Sequence, residues 1–211
     1  MKKKLAQDDL RNLSILDWKI VRDSIQVKKT EQALESLEKA AAESEKNNDT
    51  LTSFLEEVVT HLAGLGEEEV LKIFRQRFDP YMREFLSTTS GVEAALKRCT
   101  EIHKRHYSNF TVTEEPDRYV VRYDPCGTAG KLRRMREVGT TKKAYPWSWG
   151  KAGVPYYCCH CCVFWEIIPT ELQGYPVKIT LIGDRPEDPC INLFYKKPEF
   201  IPEEYLKKIG R

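Results

Sequence analysis

Four of the chain's seven cysteines and one of its four histidines fall within the run Cys158-Cys159-His160-Cys161-Cys162. Thiolate and imidazole are the ligands of zinc and iron, and Cys158 and Cys161 have the CxxC spacing used at such sites. Cys159 and Cys162 repeat that spacing in overlap. One CxxC supplies only two ligands, so partners must come from elsewhere. Two other cysteines have similar settings, Asp124-Pro125-Cys126-Gly127 and Asp188-Pro189-Cys190. In each, a proline stiffens the residue before the thiol, and the aspartate can hydrogen-bond nearby backbone. The expectation is that Cys126, the cysteine run and Cys190 converge. Cys158, Cys161, Cys126 and Cys190 would make a closed four-thiolate site, which for zinc is structural. Two or three thiolates with His160, or with a histidine from another element, would leave an open position, as catalytic metal sites do. Iron or an iron–sulfur cluster is the alternative to zinc. The competing account is a row of buried apolar cysteines, since free cysteine packs well.

Further residues could work with this group. Ser90 and Glu93 form a capping box for a helix reaching about Tyr107. Its inward positions are Val92, Leu96, Cys99, His103 and His106, at a regular 4-3-4-3 spacing. Histidines on an apolar face commonly bond a backbone carbonyl in the core. Facing the cysteines instead, His103 and His106 could ligate a metal or move protons at neutral pH. Glu166 interrupts the apolar run from Val163 to Ile168. A carboxylate there is costly unless paired or functional, so it is a candidate general base. An exposed strand face is the other reading. Lys131, Arg133, Arg134, Arg136, Lys142 and Lys143 form a basic stretch. Such stretches are usually solvated, but this one could draw an anionic substrate to the site. The aromatic loop Tyr145-Pro146-Trp147-Ser148-Trp149 could wall a small-molecule pocket or cover the core.

The elements that must position these residues divide the chain in two. Helical periodicity runs from about Asp9 to Ser44, through Leu10, Leu13, Leu16, Ile20, Leu34, Leu37 and Ala41, as one helix or as two jointed near Lys28-Lys29-Thr30. Asn47-Asn48-Asp49 reads as a turn, and Ser53 with Glu56 as the capping box of a new helix ending near Gly64-Leu65-Gly66. Glu67-Glu68-Glu69 opens another, broken or kinked at Asp79-Pro80. From Asn109 the pattern becomes β: strands at 110–113, 118–123, 164–168, 177–182 and 191–195, separated by Gly and Pro turns. A short terminal helix follows near Glu203. The predicted fold is α+β, with helices in 1–108 packed on a mainly antiparallel sheet in 109–211, forming one compact unit.

Composition narrows the function. A net charge of +2 gives no electrostatic case for nucleic acid as the main partner. No apolar run approaches the roughly 18 residues of a membrane span. The basic residues Lys2, Lys3 and Lys4 are followed by Gln7-Asp8-Asp9 rather than an apolar segment, so the start does not read as a signal peptide. The expected setting is the cytoplasm, where thiols stay reduced and clustered cysteines mean metal binding or catalysis. The N-terminal helices offer a surface for a homodimer. The order of helical half, strand leading to Cys126-Gly127, then Tyr157-Cys158-Cys159-His160-Cys161 resembles the bacterial L-2-amino-thiazoline-4-carboxylic acid hydrolase-like proteins over residues 110–200. That resemblance implies a hydrolase acting on a small carbon–nitrogen or carbon–sulfur substrate. Two function classes follow. The first is a metal- or thiol-dependent hydrolase or lyase acting on a small anionic substrate. The second is a non-catalytic binding or regulatory module stapled by a four-cysteine zinc.

Overall fold

A computed structural model of the chain describes residues 17–211. The expected helix start at Asp9, with Leu10, Leu13 and Leu16, and the basic residues 2–4 lie outside the described residues. Contacts divide the chain into two units, Met1–Asn48 and Asp49–Arg211, a boundary far from the composition change near residue 109.

Among the described residues the first elements are two helices, α1 (Asp17–Gln26) and α2 (Thr30–Leu65). Their joint lies where the lysines suggested, with Lys28 in the left-handed region at φ 58°. The turn expected at Asn47-Asn48-Asp49 does not form, and α2 runs through it. Its polar residues bond outward rather than cap. Asp49 accepts from Lys131 Nζ at 2.7 Å, and Ser53 Oγ accepts from Arg136 at 3.0 Å. Gly66 ends α2, and α3 (Glu67–Thr88) follows, burying Val70, Phe74, Met82 and Phe85. This helix also continues through Pro80. The carbonyl left without a donor there belongs to exposed Gln76, where water can serve it. Next come α4 (Val92–Arg105), β1 (Phe110–Glu114), β2 (Arg118–Tyr123) and α5 (Ala129–Met135).

The largest departure from the sequence reading is at 164–168. It is not a strand. Residues 156–173 wind as consecutive helical turns: a 3-10 turn Tyr156–Cys158, α6 (Cys159–Cys162), a wider π stretch Val163–Ile167, and α7 (Ile168–Gln173). The run from Val163 to Pro169 is buried throughout. A short, fully buried apolar segment carries no periodicity that separates helix from strand. Helix α3 packs along these turns.

Strands β3 (Ile179–Leu181) and β4 (Cys190–Tyr195) complete a four-stranded antiparallel sheet of order β1-β2-β4-β3. The register pairs Tyr123 with Cys190, Val121 with Asn192, and Asn192 with Thr180. Since side chains alternate along a strand, these residues share one face with Phe194. The opposite face carries Ile179, Leu193 and Tyr195, packed by Ile201 and by Tyr205 of the terminal helix α8 (Glu203–Lys208). Both faces of β3 and β4 are therefore covered, while β1 beyond Phe110 is exposed. The polar Asn192 and Thr180 point inward, 1% and 4% exposed. The chain is α+β, as expected from the order of its elements. No helix among the described residues is long and apolar enough to cross a membrane.

Candidate active site

Acidic residues on the helices fix the segment that leads to the cysteines. Buried Glu67 accepts from Tyr145 Oη at 2.6 Å, Tyr156 Oη at 2.8 Å and the Lys142 backbone N–H at 2.7 Å. Burial opposes its charge, but these donors outweigh burial and hold the carboxyl below its ordinary value. Glu56 accepts from the Gly139 N–H at 3.0 Å and Arg136 at 3.2 Å, and Glu57 takes Arg136 at 2.5 Å. Arg133 donates to the carbonyls of Gly183 and Asp188, and Arg134 to Asp124 and the carbonyls of Pro186 and Glu187. The basic stretch thus stitches loops together, and most of its charge is spent on protein partners.

On the cysteine side, the turn after β2 lies against the end of α4. A methyl group on Gly127 would stand 1.6 Å from the His106 carbonyl oxygen, so only glycine fits this approach. The Gly127 N–H donates to Ser108 Oγ at 2.8 Å, and that hydroxyl is 3.3 Å from His103 Nδ1. Cys126 Sγ accepts from the Gly130 N–H at 3.1 Å. One cavity of about 370 Å³ results. His103, His106, Cys126, Cys158, His160, Cys161 and Cys190 all line it. Its volume suits a small molecule. Two of the candidate residues lie elsewhere. Cys99, fully buried, is not part of the wall, and neither is Glu166.

Glu166 has a structural role. Its Oε1 accepts from Trp149 Nε1 at 2.8 Å and from the Thr180 backbone N–H at 2.9 Å. Burial raises its pKa to about 8 against the pull of these donors and of Lys178. It joins the π stretch, the aromatic loop and β3 as a clamp, and has no face on the cavity. Of the loop aromatics, Trp149 reaches the cavity wall, while Trp147 is buried against Tyr145, with ring centroids 4.7 Å apart.

Among the thiols, Cys161 differs from its neighbours. Burial pushes up Cys99, Cys158, Cys159, Cys162 and Cys190. Burial opposes ionisation of Cys161 too, but the charge and hydrogen bond of His160, helped by the Lys178 ammonium, bring it down to about 7. Its Sγ lies 3.5 Å from His160 Nε2. The other nitrogen, Nδ1, is in close contact with the Tyr157 carbonyl oxygen, which accepts a hydrogen bond from its N–H and leaves Nε2 facing the thiol. Burial alone would lower His160, but the Cys161 charge and these two hydrogen bonds raise it. The ring is wedged between Tyr157 and Phe78, with centroids at 4.9 and 6.0 Å. Thiol and imidazole are held in a fixed relative orientation, both partly exposed and lining the cavity. The rare π winding begins one residue beyond the pair, at Val163, and such windings concentrate at functional sites.

His103 is a different kind of histidine. Burial, followed by the charges of Lys178, His106 and His160, drives it well below its ordinary value, so it is neutral. Burial and the His160 charge also lower His106.

Sequence reasoning passed over two cavity residues, Tyr123 and Lys178. Pro169 lacks the N–H that would bond the Trp165 carbonyl, and the Val177 N–H takes that carbonyl at 3.0 Å. This tether sets Lys178 beside Trp165, its Nζ 5.5 Å from the ring centroid, donating to Asn192 Oδ1. A lysine between Val177 and Ile179 in a strand run was the available signal.

No group of three or more His, Cys, Asp or Glu side chains among the described residues could hold a metal ion. The expected ligands share a cavity wall, but their sulfurs are turned to different partners: Cys126 to Gly130, Cys161 to His160, and Cys190 to Asn192 Nδ2 at 3.8 Å. As arranged they do not fit zinc, iron or an iron–sulfur cluster. Comparison with known proteins found no match to any protein-family model, curated protein or solved structure.

Proposed function

We propose that this chain is a thiol-dependent enzyme, a hydrolase of carbon–nitrogen or carbon–sulfur bonds in small substrates, with Cys161 as nucleophile and His160 as its acid–base partner. One observation carries the reading: Cys161, alone among the thiols on which burial acts so strongly, is drawn down to about 7, and it faces a cavity beside an imidazole oriented by a backbone carbonyl. Nucleophile, base and orienting group follow the logic common to cysteine hydrolases. The Cys161 thiolate attacks the electrophilic carbon and forms a carbon–sulfur bond. The bond to the nitrogen or sulfur leaving group then breaks, and His160 Nε2–H supplies the leaving group's proton. Neutral His160 next removes a proton from water, the hydroxide attacks the same carbon, and the Cys161 thiolate departs. The Tyr157 carbonyl keeps the imidazole in the same tautomer throughout.

The test is trapping. Intact-mass and peptide mass spectrometry of the protein with small amides, thioesters and cyclic carbon–nitrogen substrates should show an adduct on Cys161, absent in Cys161→Ser together with turnover. Substrate turnover by Cys161→Ser at the wild-type rate would refute the assignment.

A further inference from the structure

Attack by a thiolate on a carbonyl carbon moves negative charge from sulfur to oxygen, and a catalyst gains by meeting that oxygen with a fixed donor. Several donors around the cavity are already engaged. Trp149 Nε1 is taken by Glu166, the Lys178 ammonium donates to Asn192, and the Gly130 N–H is taken by Cys126. Arg133 and Arg134 are tied to carbonyls and to Asp124, while Arg77 and Arg105 are exposed to water. Arg133 Nε has no partner, but the buried cations favour charge where it starts: Lys178 pulls on the Cys161 thiolate, and Arg133 on Cys158 and Cys190.

Tyr123 is different. It is fully buried at the end of β2 and lines the same cavity, and its Oη has no hydrogen-bond partner among the described residues. A buried hydroxyl without a partner is uncommon and points to a missing acceptor. Ring contacts fix its direction, with centroids 4.2 Å from His103 and 5.3 Å from Phe110. Burial, followed by the charges of Cys99, Cys190, Cys161 and Cys126, holds the phenol protonated. Thr180 Oγ1 also lacks a partner, but that side chain acts on the Glu166 carboxyl.

We propose that Tyr123 is a catalytic residue whose hydroxyl donates to the oxyanion formed when Cys161 adds to a substrate carbonyl, so that the substrate is an acyl compound, an amide or a thioester. In this step a sulfur lone pair forms the carbon–sulfur bond and the π pair of the carbonyl moves onto oxygen. Tyr123 Oη–H hydrogen-bonds to that oxygen and keeps its proton. Collapse returns the pair to the carbonyl and expels the leaving group, which takes its proton from His160. The same contact recurs when water attacks the acyl-enzyme. Addition to a carbon–nitrogen double bond would instead put charge on nitrogen, which demands a transferred proton. A phenol held so firmly protonated does not supply one. An oxyanion needs only the hydrogen bond. The hydroxyl is also neutral, so it adds little to the thiolate before attack and forms its bond where the charge arrives. This inference deepens the reading of Cys161 as nucleophile and rests on it.

Two reagents that meet the same thiol separate the two ideas. p-Nitrophenyl acetate reacts through a tetrahedral oxyanion, whereas iodoacetamide reacts by displacement at a saturated carbon. Modification of Cys161 by each is followed at one pH, with the site located by peptide mass spectrometry. The ratio of acylation to alkylation cancels any change in the ionisation of Cys161. In Tyr123→Phe that ratio should fall at least about tenfold, since one oxyanion donor is commonly worth about 10²–10³ in rate. The pH midpoint of alkylation should stay in place, and the melting temperature should not drop, because the hydroxyl removed has no partner to lose. A merely structural role would lower the melting temperature and leave the ratio alone. An unchanged ratio, with both reagents labelling Cys161, would overturn the role of Tyr123 and leave the nucleophile standing. If neither reagent modifies Cys161 ahead of the other thiols, the nucleophile reading fails and the role of Tyr123 falls with it. Should Tyr123→Phe not fold, replacement of Tyr123 by 3-fluorotyrosine serves. It keeps the hydroxyl, makes it a stronger donor and should raise the ratio; no rise would overturn the proposal.

Discussion

Replacing His160 by alanine isolates what the imidazole does for Cys161. The thiol titrates at about 7 in the folded chain against an ordinary value of 9.0, although burial acts to raise it. Without His160, burial remains and its main opponent is gone, so the thiol should titrate at 9.0 or above. At pH 7 a thiol of pKa about 7 is half ionised, and one of pKa 9.0 is about 1% ionised, a fiftyfold loss of thiolate. The more basic thiolate is also the stronger nucleophile. With a Brønsted slope near 0.45, a difference of about two in pKa returns roughly eightfold. The net effect at pH 7 is therefore only about a sixfold slower alkylation by iodoacetamide. The profile is more telling than the single rate. The wild-type rate should rise with a midpoint near 7 and level off. The His160→Ala curve should keep rising past pH 9 and cross above the wild type. A change in access or packing would scale the curve without moving its midpoint. Coincident midpoints for the two proteins would refute the thiolate–imidazolium pair.

Two further substitutions test the elements that hold the site. Burial raises Glu166 to about 8, so the folded chain keeps a proton that the unfolded chain sheds near 4.5. Its contribution to stability is complete below 4.5 and is lost as the pH rises through 8. The wild-type melting temperature should therefore fall from pH 5 to 7 more steeply than that of Glu166→Gln, by up to about 1.4 kcal/mol of stability per pH unit. The amide oxygen can still accept from Trp149 and Thr180; parallel slopes in calorimetry would exclude the protonated clamp. Gly127→Ala places a methyl group within 1.6 Å of the His106 carbonyl oxygen and 2.8 Å of the Ser108 nitrogen. Backbone must move, so a loss of about 1–3 kcal/mol is expected in urea unfolding, and an unchanged midpoint would count against this packing.

What the sequence made legible was the gathering of Cys126, Cys158, His160, Cys161 and Cys190, with His103 and His106 opposite. Clustering and proline-set turns report proximity. They do not report direction. Which thiol is reactive depends on one Nε2–Sγ contact and on the carbonyl of Tyr157, both consequences of helical turns at 156–162 that a run of cysteines does not announce. The strand reading of 164–168 failed for a related reason. A segment buried on every side shows no amphipathic period, so Glu166 read as an exposed or catalytic carboxylate, while its oxygen holds β3 and Trp149 in place. The extension of α2 through Asn47-Asn48-Asp49 was hidden because Asp49 and Ser53 were judged by turn and cap propensity, and their side chains instead bond Lys131 and Arg136 of a distant segment. Such partners appear only in three dimensions.

Lys178 and Asn192 show why the floor of the cavity was the least legible part. Alternation in Lys178-Ile179-Thr180-Leu181 normally marks a sheet with one wet face, and the polar positions are then assigned to water. Here the apolar set Ile179, Leu193 and Tyr195 is covered by the C-terminal segment, and the polar set is turned inward on the helices. The inversion has an electrostatic consequence. With Glu166 protonated at neutral pH, His103 neutral, and Cys161 matched by His160, the inward face keeps the charge of Lys178 unmatched by any carboxylate among the described residues. That charge adds to His160 in lowering the Cys161 thiol, and to burial in disfavouring a second proton on His103. His160 remains the group that keeps the Cys161 thiol ionised, and Lys178 is a lesser influence from the strand side.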